Sequence, residues 1–347
     1  MAKQNISIST DTIVRTILIL MFVGFLFLIK DVLALFFVAI ILSSAFDPLI
    51  DWLEEKKWPR ALSIICVYII FLTIVGGAIY LLTGPIVAQV KDMSRAFPDF
   101  YHKVNDAISH LRNTNTSDLA QQTISTSFSD ITKGVTQATS GIFNALTSIF
   151  GGVISFFMVL VLTFYLTVDE ESMKRFIKSI TPVNQQSYVS QLIASMQTRM
   201  GYWLRGQLVL SLIVFALVYL GLSILGIKYA LILALVAGIF EVVPFIGPWI
   251  SAIPGVFFAF AQSPGKAIVV AILYFAIQQI ENNLIVPKVM GKSTGLNPLV
   301  VILAILTGAR LGGVLGALLA VPVTLAIAVY VESLQSKKSE RDSKLSK

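Results

Sequence analysis

The chain has 347 residues, 56% of them hydrophobic and only 13% charged, with a formal net charge of +7. A soluble domain carries roughly 25% charged residues, so a water-facing surface could not be covered and a soluble globule is excluded. The basic residues lie in loops between long apolar runs and in the C-terminal tail, which reads as membrane topology and anionic lipid, not nucleic acid.

A helix needs about 20 consecutive apolar residues to span a bilayer core, and the chain offers several such runs. Ile13–Ile29 is the first; it is too long for a signal-peptide core and reads as a retained anchor. Val32–Phe46 follows after Lys30-Asp31, then the charged stretch Asp51–Arg60, then Ala61–Thr83, closed by Gly84-Pro85. Residues 1–83 therefore form an N-terminal group of transmembrane helices. The single cysteine, Cys66, lies inside an apolar run and excludes an intrachain disulfide. His102 and His110 have no cysteine partners at metal-ligand spacing, so no metal site and no cofactor are expected.

Residues 84–141 change character. Apolar residues recur at steps of three and four through Ile86, Val90, Met93 and Phe97, and again through Ile124, Phe128, Ile131 and Val135. That spacing predicts a water-exposed helical insertion, leading into a transmembrane helix over 142–168. Residues 169–207 are polar again. Thr181-Pro182 starts a helix whose apolar face carries Val189, Leu192, Met196, Met200, Trp203 and Leu204. Two readings stand: a helix lying on the membrane with Trp203 at the headgroups, which is favoured, or a helix packed against its neighbours. Placing basic loops inside puts the N-terminus, the 47–60 loop, 169–207 and the 332–347 tail, expected to be disordered, in the cytoplasm, and 84–141 outside.

The C-terminal half, 208–331, is read as a transport core. Seven of the twelve prolines and twelve of the twenty-two glycines fall between Gly221 and Pro322, at membrane depth. Broken helices in lipid are tolerated only where their freed backbone groups are buried in protein or face a water-filled cavity, and transporters build midplane sites from them. Tyr229–Gln262 is interrupted by Pro244, Gly247, Pro248 and Pro254; Leu299–Val331 is interrupted at Gly308-Ala-Arg310 and by Pro322. Each is either one crossing plus a short re-entrant piece or a full re-entrant hairpin, and re-entrant geometry is favoured. Gly308, Gly312 and Gly316, spaced by four, form a small-residue face for close helix packing.

Ionisable residues at this depth are costly and mark function. Glu241 precedes the Pro244–Pro248 break, and Arg310 sits at the second break. Glu281 lies between them in Gln278-Gln-Ile-Glu-Asn-Asn283, where Gln278, Glu281 and Asn282 share one helix face and Asn283 lies on an adjoining line. Such a cluster can coordinate a cation, carry a proton or hydrogen-bond a polar solute; the bland alternative makes Asn282–Asn283 a polar helix end before Pro287. Gly291-Lys-Ser-Thr294 resembles the end of a phosphate loop, but Val286 stands where its first glycine is required. With no nucleotide motor and no nucleophile–base set, transport by gradient is expected, not enzymatic turnover.

The run Glu281-Asn-Asn-Leu-Ile-Val-Pro287-Lys-Val-Met-Gly291 resembles the signature of the autoinducer-2 exporter family of permease-like proteins. So do Asn297–Gly308, its continuation Leu311–Pro322, and the block Pro244-Phe-Ile-Gly247-Pro-Trp-Ile with Pro254. The resemblance implies an all-α polytopic transporter of the bacterial inner membrane with about eight membrane segments. It implies autoinducer-2 export or sodium/proton antiport, with proton or sodium as the coupling ion. The expected function is secondary transport of a small polar solute or cation by alternating access. The rival outside transport is a membrane scaffold whose 84–141 segment binds partners. Self-association is compatible with the glycine face and the outer helices.

Overall fold

The structure is a computed structural model that describes residues 10–78, 80–81, 84, 153–290 and 296–345. The expected insertion over 85–141, the start of the 142–168 helix and the Gly291–Thr294 segment lie outside the described residues. Every described element is helical: α1 (Thr10–Leu28), α2 (Lys30–Glu55), α3 (Arg60–Ala78), α4 (Val153–Val168), α5 (Glu170–Ile180), α6 (Gln186–Ile224), α7 (Ala230–Phe240), α8 (Ile246–Gln262) and α9 (Pro264–Ile280). A π-helical turn, Glu281–Ile285, links α9 to the short α10 (Val286–Val289), and α11 (Pro298–Leu345) is the last described element, so the tail expected to be disordered from residue 332 is corrected to helix as far as Leu345.

Five helical stretches are long and apolar enough to cross a membrane by length and composition. The distribution of side chains agrees: Leu28, Ile224, Leu212 and Trp249 are largely exposed, while Glu241, Gln207, Glu281 and Thr163 are buried. Apolar residues outside and polar ones inside is the arrangement a lipid solvent demands. The chain is a polytopic helical membrane protein.

The helix α6 is the spine. At 39 residues it is roughly 58 Å long, about twice a bilayer core, and it runs unbroken through the expected boundary at 207/208. Its N-terminal half rests on α2 at a point that a proline prepares. Pro48, inside α2, has no N–H to give to the Ser44 carbonyl four residues back. Arg205 of α6 donates to that carbonyl at 3.3 Å and to the Ala45 carbonyl at 3.2 Å. Gly201 lies directly against Ser44, so close that a Cβ there would collide with its carbonyl. Trp203 is only 4% exposed, packed with Leu210, Met290, Val301 and Ile305. The expectation of a tryptophan at the headgroups is thus corrected: this face of α6 meets protein. Near the helix start, Arg199 grips Glu332 of α11 with both guanidinium nitrogens, one at 3.0 Å, and Tyr188 meets Ser333 at 2.8 Å.

The helices α2, α3 and α4 form a separate apolar cluster around Phe46, Ile50, Ile64, Tyr68 and Leu160. Edge-to-face contacts link Phe46 to Tyr68 and to Phe71 at 5.5 and 5.2 Å. Ser43 and Thr167 share a buried hydrogen bond of 2.9 Å between α2 and α4.

Both broken segments fold back as helical hairpins. In the first, α7 and α8 diverge from a tip at 241–245, and their far ends meet again where the Tyr229 and Phe258 rings pack at 5.5 Å. At that same end Lys266 donates to the Gly226 carbonyl at 3.1 Å. The arms have 11 and 17 residues, roughly 16 and 25 Å, each shorter than a bilayer core. The tip is tight: Ile246 N–H donates to the Pro244 carbonyl at 2.8 Å across Phe245, whose φ is 65° and ψ −45°. This is a γ-turn of the rare, strained hand. Gly247 follows because any Cβ there would strike the Phe240 carbonyl.

The second hairpin is α11 itself, which turns at Gly312 (φ −134°, ψ 17°) and Gly313 (φ 60°, ψ −140°). The sequence placed this break at Gly308–Arg310; the turn falls two residues later because Gly313 occupies a backbone region open to glycine alone. Gly308 and Gly316 instead face each other across the hairpin, each so close that a Cβ would meet the other's carbonyl. Gly312 has no neighbour within 4 Å of a Cβ position, so its assignment to a packing face is corrected to a turn. Pro322 and Pro254 are buried inside the second arm and α8 respectively.

Replacing Gly201 by alanine will drive α2 and α6 apart, with an expected loss of about 1–3 kcal/mol. Gly76→Ala, where a Cβ meets nothing within 4 Å, serves as control. Thermal unfolding of the purified protein in detergent should show a lower midpoint for Gly201→Ala only.

Candidate functional site

The tip of the first hairpin, the middle of α6 and the π turn converge on one cavity of about 130 Å³. Its polar wall consists of Gln207, Glu241, Gln278, Glu281 and Asn282; Trp203, Pro244, Phe245, Met290 and Val321 supply apolar surface.

Each polar residue is held there for a local reason. Pro244 ends α7, which leaves carbonyls at the helix end without intrahelical partners. The Gln207 side-chain amide donates to one of them, the Glu241 carbonyl, fixing the hairpin tip to α6. Glu281 opens the π turn. Pro287 cannot offer an N–H to the Asn283 carbonyl four residues back, and the helix widens over Glu281–Ile285 just before it. π turns recur at functional sites because they re-aim side chains. Here the widened turn buries Glu281, 4% exposed, facing Glu241, 2% exposed. The two carboxyl groups lie within hydrogen-bonding reach of one another.

Three buried oxygens remain without a hydrogen-bond partner among the described residues: Glu241 Oε2, Glu281 Oε2 and Gln207 Oε1. Buried polar atoms are nearly always paired, and paired carboxyls without a nearby base hold either a shared proton or a cation. The donor set, all oxygen, suits a hard monovalent cation, a proton or an ammonium-like group.

Of the residues predicted from sequence, Glu241, Gln278, Glu281, Asn282 and Pro244 line this cavity. Gln278 is half-buried and Asn282 lies exposed at the rim. Gly247 and Pro248 lie just beyond the tip, at the start of α8. Asn283 does not join them: it is exposed, and its amide donates to the Gln279 carbonyl at 2.8 Å, so it belongs to the helix surface. Arg310 is also corrected. It is exposed on the first arm of the second hairpin, near the turn, and is absent from the cavity wall, because that hairpin turns its tip away and contributes Pro298, Val301 and Val321 instead. Sequence reasoning missed Gln207 and Trp203 as site residues. The available signal was Gln207 itself, a polar residue at the threshold of a long apolar run.

The model for AI-2E family transporters matches residues 16–336. The chain belongs to this family. It is similar to the "Putative transport protein YrrI" of Bacillus subtilis strain 168, 29% identical over 309 residues and covering 88% of each chain. A second relative from the same organism, "Putative transport protein YueF", is 29% identical over 305 residues, 84% of this chain and 81% of its own. "Putative transport protein YhhT" of Escherichia coli K12 is 30% identical over 151 residues, 43% of each chain. Membership in the AI-2E family and the names of these relatives indicate a membrane transporter.

In this AI-2E family member Gln207→Met removes the donor that satisfies the Glu241 carbonyl while keeping side-chain length. The expected cost is about 1–3 kcal/mol, read as a lower unfolding midpoint in detergent.

Proposed function

We propose that this protein is a secondary transporter in which the Glu241–Glu281 pair binds and releases a proton or a sodium ion, coupled to movement of a small polar or cationic solute. The observation that supports this reading is the set of three unpartnered buried oxygens around the two facing carboxyls. A cavity of about 130 Å³ suits a small cation with a few waters. Gln278 and Asn282 extend the oxygen and amide lining toward the rim.

Alternating access would operate at the first hairpin. Its tip carries Glu241 and is joined to α6 through the Gln207 bond, and the strained turn at Phe245 gives it a backbone that can relax on moving. The short arms fit a re-entrant hairpin that enters and leaves on one side of the membrane. In this reading the protein sits in the bacterial inner membrane with both termini in the cytoplasm. Export of an autoinducer-2-type solute is the second reading, favoured by the name of the family model; it requires the hairpin tip to swing away and enlarge the cavity.

Flux through proteoliposomes tests the carboxyl assignment. With an imposed sodium or proton gradient, Glu241→Gln and Glu281→Gln should each lower gradient-driven exchange at least about tenfold, while Asn283→Ala and Arg310→Gln remain within about twofold of wild type. Normal exchange in both glutamate variants would remove the carboxyl pair from the mechanism.

A further inference from the structure

Beside the carboxyl cavity, and sharing Gln278 as a wall, lies a second and larger space of about 590 Å³ between α8 and α9. It is open to the outside of the bundle, and its aromatic lining comes from Trp249, Phe257, Phe260 and Phe275. Trp249 and Phe275 are 64% and 56% exposed, so the groove faces the lipid side. One feature does not match a groove made only for acyl chains. Gln278, half-buried, gives the groove a polar wall, and the same side chain lines the carboxyl cavity. Tyr274, 8% exposed, also forms part of the wall, with its hydroxyl sealed inside the protein against α8 at Gly255. A polar wall is poorly matched by plain hydrocarbon, so an occupant that brings a polar atom to Gln278 is favoured.

The two spaces complement the two ends of one kind of molecule. The oxygen-lined cavity attracts positive charge; the groove offers an aromatic, apolar slot, and aromatic faces also attract cations. We propose that the groove binds the apolar part of a lipophilic organic cation whose ammonium-type head reaches past Gln278 to the Glu241–Glu281 pair. The cation enters sideways from the bilayer between α8 and α9. This inference rests on the carboxyl-pair reading and adds the substrate class.

Radiolabelled octylammonium and methylammonium test it, by scintillation-proximity binding to the full-length protein in nanodiscs with the signal of empty nanodiscs subtracted. Both probes carry the head; only octylammonium carries a tail. Ala252→Trp fills the groove. It should weaken octylammonium about tenfold, with methylammonium unchanged. If Ala252→Trp fails to fold, Ile253→Trp, at an exposed position on the same wall, takes its place. Octylammonium binding within twofold of wild type in the filled variant overturns the proposal and leaves the groove to bilayer chains. A filled variant whose subunit number changes in native mass spectrometry also overturns it, making the groove a contact between copies. Glu281→Gln separates the two layers. Loss of both probes in that variant with intact groove variants sinks the groove alone; retention of both sinks the carboxyl reading and the groove with it.

Discussion

Two carboxyl groups are packed against each other inside an apolar helical bundle, and the C-terminal half of the chain is organised around making that tolerable. Removing a charge from water costs several kcal/mol even after relaxation, so a buried carboxyl pair persists only with compensating partners or neutralisation. Among the described residues the fold supplies positions, not neutralising charges: none of those lining the cavity is an arginine or lysine. What it supplies instead is a hairpin tip for Glu241, a widened helical turn for Glu281 and an amide from α6 that holds the backbone of the tip. The tip and the turn each arise at a proline that breaks regular helix at membrane depth.

The two helical hairpins look alike in sequence and play different parts. The first presents its tip to the cavity, so its irregular backbone sits at the site. The second presents its arms: Val301 and Val321 pack at the cavity wall, while its Gly312–Gly313 turn and Arg310 are exposed. The Gly308–Gly316 contact holds the arms of that second hairpin together. Small residues at the contact let the arms approach where no hydrophobic drive toward water exists.

Both hairpins are referred to the same helix. Along α6, Arg199 binds Glu332 of α11, Gly201 and Arg205 bind α2, Gln207 binds the first hairpin tip, and Val214 to Leu222 pack on α7 and its neighbours. The bond to the hairpin tip at Gln207 therefore lies within one turn of the α6 contacts with α2 at Arg205. This continuity places the site at a junction of three packed groups, where ligand sites in helical bundles commonly form.

Hydropathy and punctuation determined the class, the helical content and the location of the breaks within a few residues, because a bilayer permits only helices with satisfied backbones and every departure needs a proline or glycine. They also marked Glu241, Gln278, Glu281 and Asn282, since charge and amide at membrane depth are costly wherever they occur. They did not determine which of the polar residues meet. Asn283 and Arg310 stood out in the same way as polar residues at membrane depth, yet a π turn rotates one outward and a glycine two residues beyond the expected break carries the other away. Gln207 and Trp203 entered the site only through the path of α6, which the sequence divided into a surface segment and a crossing. Periodicity records which face of a helix is apolar; whether that face meets lipid or another helix is decided by tertiary packing, because both are equally dry.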